Sequence, residues 1–140
     1  MNERRRRSDF AVALFVTVVW AALVFAVDGI LSVVLDRDPI ESDVGPYYAI
    51  VALLLASVVT WLAVAAALRS ARPWLSALAA TALVYLVLIA TAAPISLGLV
   101  AEQASSPFVI AASLLAGGTV IAAWAAFRTS VPNRPTTRER

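Results

Sequence analysis

The chain has 140 residues, 61% of them hydrophobic and 14% charged, with eleven basic residues against nine acidic ones and a mean hydropathy of +0.87. That balance lies outside the range of soluble domains and assigns the chain to the lipid bilayer. Cys, His and Lys are absent and the one Met is the initiator, so disulfides, thiol redox chemistry, zinc clusters and ordinary haem ligation lack their ligands, and no cofactor or metal is expected.

A helix needs roughly 20 mainly apolar residues to cross a hydrocarbon core of about 30 Å, and four segments meet that requirement. The basic stretch 1–9, with Arg4, Arg5, Arg6 and Arg7, precedes the first of them, expected over 10–35. Its apolar run "FAVALFVTVVWAALVFAV" is interrupted at Asp28 and resumes as "ILSVVL". Arg-rich residues, an apolar run and Val24-Phe25-Ala26 fit a signal peptide with a small-residue cleavage site, but the continuation through Leu35 suits a retained anchor better. The double arginine lacks twin-arginine spacing, because two residues separate it from Phe10.

The second span is expected over 47–68 and the third over 74–100, joined by a short turn holding Arg69 and Arg72. Pro94, near the outer end of the third, removes a backbone donor and should bend or end that helix. The fourth span, 108–127, is followed by Arg128 and by a polar tail, 129–140, expected to be disordered and to carry Arg134, Arg138 and Arg140. The arginines therefore fall on one side of the membrane, with Arg37 the exception, and Asp36, Asp38, Glu41, Asp43 and Glu102 fall on the other. By the rule that cytoplasmic loops keep the positive excess, both termini are expected to be cytoplasmic. The basic runs lack interleaved aromatics or a soluble domain, so they set topology and meet anionic headgroups; no nucleic-acid partner is expected.

The fold expected is thus all-α and integral to the membrane: a four-transmembrane-helix bundle over 10–128, both ends inside. Its two halves are alike. "PYYAIVALLLAS" from Pro46 resembles "PFVIAASLLAGG" from Pro107, so Leu53 and Leu54 match Leu114 and Leu115, and "ILSVVL" after Asp28 parallels "ISLGLV" after Pro94 as an outward overhang. Two tandem helical hairpins related by duplication would give this pattern, and so would shared Ala-rich composition.

Asp28 is the candidate ion or proton site. It shares a helix face with Ala13, Thr17, Ala21 and Ser32, at spacings of four and seven. If the span enters the core at Phe10, Asp28 lies about 27 Å further along a helix rising ~1.5 Å per residue, close to the far boundary. Two readings stand: a carboxylate that binds a cation or carries a proton, and an interfacial residue marking the end of the span. Arg37 is close enough in sequence to fold back toward it.

Small residues form seams on two spans. Ala49, Ala52, Ala56, Thr60, Ala63 and Ala67 line the second; Ala112, Ala116, Thr119, Ala123 and Ala126 line the fourth, beside Gly117 and Gly118. Helices approach closely along such seams, either within one bundle or against another membrane protein or a second copy. Tyr47, Tyr48, Trp74, Phe108 and Trp124 lie at interfacial depth, where amphipathic rings anchor. Thr17, Thr60, Thr81 and Tyr85 lie deeper and either line a small cavity or bond within their helices, with Thr81 the nearest partner for the Tyr85 hydroxyl.

No nucleophile and base pair is available, and "AGGT" lies mid-span where it cannot cradle a phosphate, so no enzyme is expected. Two functions fit. One is a non-enzymatic accessory or interaction subunit packing through its small-residue faces; the other is a small transporter or channel using Asp28 and the intramembrane Thr and Tyr groups. In span number and possible duplication the chain resembles small multidrug transporters, but that family carries a glutamate well inside its first span, where this sequence is uncharged. As a whole the chain is similar to uncharacterised small four-span membrane proteins of high-GC actinobacteria, a resemblance of length, composition and topology that implies a plasma-membrane location and no mechanism.

Overall fold

A computed structural model describes residues 2–40 and 47–129, with side chains from Ser8. The outer-loop acids Glu41 and Asp43 and the tail 130–140 lie outside the described residues, and the side chains of Arg4, Arg5, Arg6 and Arg7 do too. Five helices follow one another: α1 Asn2–Leu35, α2 Tyr47–Ala67, α3 Pro73–Ala90, α4 Leu97–Ser105 and α5 Pro107–Thr129. Among the described residues there is no strand, and α1, α2, α3 and α5 are each long and apolar enough to cross a membrane. The chain is an all-α, multi-pass membrane protein.

Two boundaries differ from expectation. The basic segment 2–9 is helical and continuous with the first span, α1 starting at Asn2, while the stretch apolar enough to cross begins at Ser8. The third span does not run over 74–100: it stops at Ala90, and 97–105 forms a separate helix. Pro94 is the cause. Its ring would strike the carbonyl of Ala90, four residues earlier, and it has no N–H to bond there. The chain therefore tightens before it arrives, with Ala92 N–H donating to Ile89 O at 3.0 Å and Ala93 N–H to Ala90 O at 3.2 Å. Ser96 then starts α4 as its cap, its hydroxyl accepting from Leu99 N–H at 3.1 Å. In the first hairpin nothing breaks the helix, and "ILSVVL" simply continues α1. That helix ends on Asp36, which holds φ of 50° while Arg37 N–H donates to Ser32 O at 3.3 Å, the left-handed closure that usually employs Gly.

The four long helices form an up-and-down ring in the order α1, α2, α3, α5, with α2 and α5 touching across the middle; α1 and α3 do not meet. The core lies in three tiers. Nearest the termini are Ala13, Val64, Ala67, Ala77, Ala80 and Val120; the middle tier holds Trp20, Val24, Ala56, Val84, Ala112 and Ala116; Tyr48, Ala92 and Leu99 close the far end. Alanine dominates because apolar side chains gain little by leaving lipid for a protein interior, so association rests on close backbone approach. Large side chains turn outward instead, Phe15 being 70% exposed and Leu54 60%.

The two seams are buried inside this ring. Ala52, Ala56, Thr60 and Ala67 of α2 and Ala112, Ala116, Gly117 and Ala123 of α5 are buried, Ala63 and Thr119 are half-buried, and Ala49, Gly118 and Ala126 are exposed. The sequence match between the halves has a structural counterpart in one stripe: Tyr48, Ala52 and Ala56 are buried, and so are their equivalents Val109, Ser113 and Gly117. The fourth span adds a second buried stripe through Phe108, Ala112, Ala116 and Val120, since it meets α1, α2 and α3.

The end bearing the termini is knitted by polar and aromatic contacts. Arg69 pairs with Asp9 at 3.4 Å and lies over the Phe10 ring; Trp124 donates to Ser70 O at 3.4 Å, and Arg128 lies over its ring at 4.5 Å. Asp36, Asp38 and Glu102 sit at the opposite end.

Candidate functional site

At that opposite end the ring opens into a cleft of about 620 Å³ lined by all five helices. Trp20 forms part of its floor. The indole is fully buried and donates to Ala112 O at 3.2 Å, which fixes the ring across the bundle from α1 to α5. Trp20 and Val24 stand one turn apart, and Asp28 follows one turn further along the same face. The helix face that buries Ala13, Thr17 and Trp20 in the core thus delivers a carboxylate to the cleft wall. Beside it, Gly29 leaves open space: an added Cβ would meet no atom within 4 Å.

Asp28 Oδ1 is buried and has no hydrogen-bond partner among the described residues. A second orphan faces the same cleft. Gln103 of α4 is only 5% exposed, and its Nε2 also lacks a partner. Unpaired buried polar atoms are uncommon in native proteins because each forgoes its solvation, at about 1–3 kcal/mol. Both residues, one with an orphan acceptor and one with an orphan donor, line one cleft, which makes it the candidate site.

Gln103 is the residue that sequence reasoning misses, because it lies between the spans expected over 74–100 and 108–127. A signal was there: Ser96 after Pro94 is a helix-start signature, and Leu99 with Gln103 four residues on gives α4 one buried face. Tyr85 holds α4 in position. Its hydroxyl does not bond Thr81 but donates to Ala104 O at 2.8 Å, tying the end of α4 to α3. Tyr85→Phe is expected to weaken the protein by only about 1 kcal/mol, the net worth of one hydrogen bond, and to accelerate amide exchange selectively over residues 97–105. Uniform acceleration across all helices would show that α4 is not a separately held element.

The deeper hydroxyls do not join the site. Thr17 donates to Ala13 O at 2.8 Å and Thr60 to Ala56 O at 2.9 Å, each within its own helix, while Thr81 packs against Gly117. None of the three, nor Tyr85, lines the Asp28 cleft. Arg69, Arg72 and Arg128 lie at the other end of the bundle.

The model of a family of unknown function, DUF6121, matches residues 1–139. The chain belongs to that family. No curated protein matches the chain, and no solved structure does. Membership in DUF6121 carries no activity with it, so the chemistry of the cleft in this DUF6121 chain must be argued from its own residues.

Proposed function

We propose that this chain is a non-enzymatic accessory protein of the plasma membrane that binds an amphiphilic molecule in the cleft lined by Asp28 and Gln103. The observation that carries this reading is that Asp28 and Gln103, each holding one buried, unpartnered polar atom, line one cleft. Ligand sites are mostly apolar clefts of about 300–1,000 Å³ with a few polar groups that fix orientation, and the cleft has that size and that make-up. With the arginines held on the cytoplasmic side, both termini are inside and the cleft opens toward the outer leaflet. Its depth suits an amphiphile: Asp28 lies about 27 Å along α1 from Phe10, near headgroup level.

The small-residue faces do not serve the accessory reading as expected. Because Ala52, Ala56, Thr60, Ala112, Ala116 and Gly117 are engaged inside the ring, a membrane partner or second copy would meet the lipid-facing side chains or the rim of the cleft. Transport by way of Asp28 is the second reading, favoured by a carboxylate within a span. Against it, the cleft ends on Trp20, and beyond Trp20 lies the tier of Ala13, Val64 and Val120, whose neighbouring threonine hydroxyls are bonded to their own helices.

Native mass spectrometry of the full chain, extracted mildly from its own membrane, tests the binding reading. A molecule retained at one per chain is expected, and Ala49→Trp should abolish its retention, because Ala49 is exposed, lines the cleft and can carry a large ring without entering the core. Wild-type protein that flies bare, or retention indifferent to Ala49→Trp, would count against a ligand in this cleft.

A further inference from the structure

We propose that the cleft selects a primary alkylammonium: an amphiphile whose –NH₃⁺ group is held by Asp28 and whose neighbouring oxygen is held by Gln103. This rests on the binding reading above and names the chemistry of what is bound. Charge gives the first argument. Among the described residues lining the cleft there are two carboxylates, Asp28 and Asp38, and no arginine. A site so lined repels anionic headgroups and attracts cations.

The rings give the second. Trp20, Phe25, Tyr48 and Phe108 contribute aromatic wall to one cleft, and aromatic faces attract ammonium groups, the more so where water is excluded. Much of the remaining wall is aliphatic, with Val24, Leu53 and Leu88 among it, so the body of the ligand is apolar.

Hydrogen bonding narrows the class. Asp28 Oδ1 is an acceptor lacking a donor, which a primary ammonium supplies and a quaternary one does not. Gln103 Nε2 is a donor lacking an acceptor, and it is fixed on a different helix from Asp28. A ligand satisfying both therefore carries its N–H and an oxygen acceptor in the same head. Two sources supply that chemistry: the aminoethyl phosphate head of a membrane lipid, and a free lipophilic amine arriving from outside.

The test uses the full chain in nanodiscs of phosphatidylcholine and phosphatidylglycerol, titrated with dodecylamine, dodecyltrimethylammonium and dodecanol. Dodecylamine is expected to bind at least tenfold more tightly than the other two. Asp28→Asn should lose at least tenfold of that affinity and Gln103→Leu less, with helical content by circular dichroism unchanged in both. Should either variant misfold, competition by dodecanol against dodecylamine on the wild-type protein still decides the point. Repeating the titration with phosphatidylethanolamine in the disc separates the sources: competition with dodecylamine identifies the lipid head, and no competition identifies a free amine. Equal binding of dodecanol and dodecylamine, or dodecylamine binding indifferent to Asp28→Asn, overturns the ammonium assignment. If native mass spectrometry meanwhile finds a neutral or anionic molecule displaced by Ala49→Trp, the binding reading stands and only its chemistry was wrong.

Discussion

Gly117→Leu is expected to be strongly destabilising, while Gly118→Leu, one residue further on, should be neutral to slightly stabilising. At 117 an added Cβ runs into the Thr81 hydroxyl and comes within 3.1 Å of the Ala77 carbonyl, so two backbones, not merely two side chains, must separate. At 118 the same Cβ meets nothing within 4 Å and points outward. Overpacking typically costs about 1–3 kcal/mol, and a contact with a backbone carbonyl belongs at the upper end because a carbonyl cannot change rotamer. Replacing Gly by Leu in an exposed helical position removes a penalty of roughly 1 kcal/mol instead. Reversible unfolding in mixed micelles with increasing dodecyl sulfate reads both. If the two variants lose stability equally, the α3–α5 contact is not the closest approach in the ring.

Trp20→Ala is expected to cost about 3 kcal/mol, the lower end of the range for removing a buried large aromatic. The lower end applies because in lipid the transfer part of that cost is small, and what remains is the cavity and the lost contact area. Trp20→Phe separates the two contributions of the indole. It retains most of the ring volume but loses the donor to Ala112 O, and should cost about 1 kcal/mol. Because Trp20 also floors the cleft, Trp20→Ala should deepen the cleft toward the Ala13 and Val64 tier, so the retained molecule seen by native mass spectrometry should become less selectively held. A Trp20→Ala protein as stable as wild type would mean that the middle tier is not held by this side chain.

Membrane class, the number of spans and the clustering of Arg69, Arg72 and Arg128 at one end were legible in the sequence because they follow from local quantities. Twenty apolar residues must form a helix in a bilayer, where unsatisfied backbone has no water to turn to. Pro94 also announced an interruption, since its missing N–H acts on its own helix. Where the helix stopped was less legible, and the result changes the molecule: the overhang expected after Pro94 became α4, capped by Ser96, with Gln103 on its buried face. Seams of small residues were equally visible, but a seam says only that something approaches closely. The ring decided that α2 and α5 meet each other, α1 and α3 through them.

The site belongs almost wholly to tertiary structure. Sequence by itself determined that Asp28 is an isolated acid near one end of a span, on the face of α1 shared with Ala13 and Thr17. It could not bring Gln103 to the same cleft, because residues 75 apart on two helices that do not follow each other are joined only by packing. Nor could it decide between an interfacial marker and a working carboxylate, a difference that depends on whether Oδ1 finds a donor. In the folded bundle no described residue gives Oδ1 a donor, and local chain geometry carries no term for what a neighbouring helix presents.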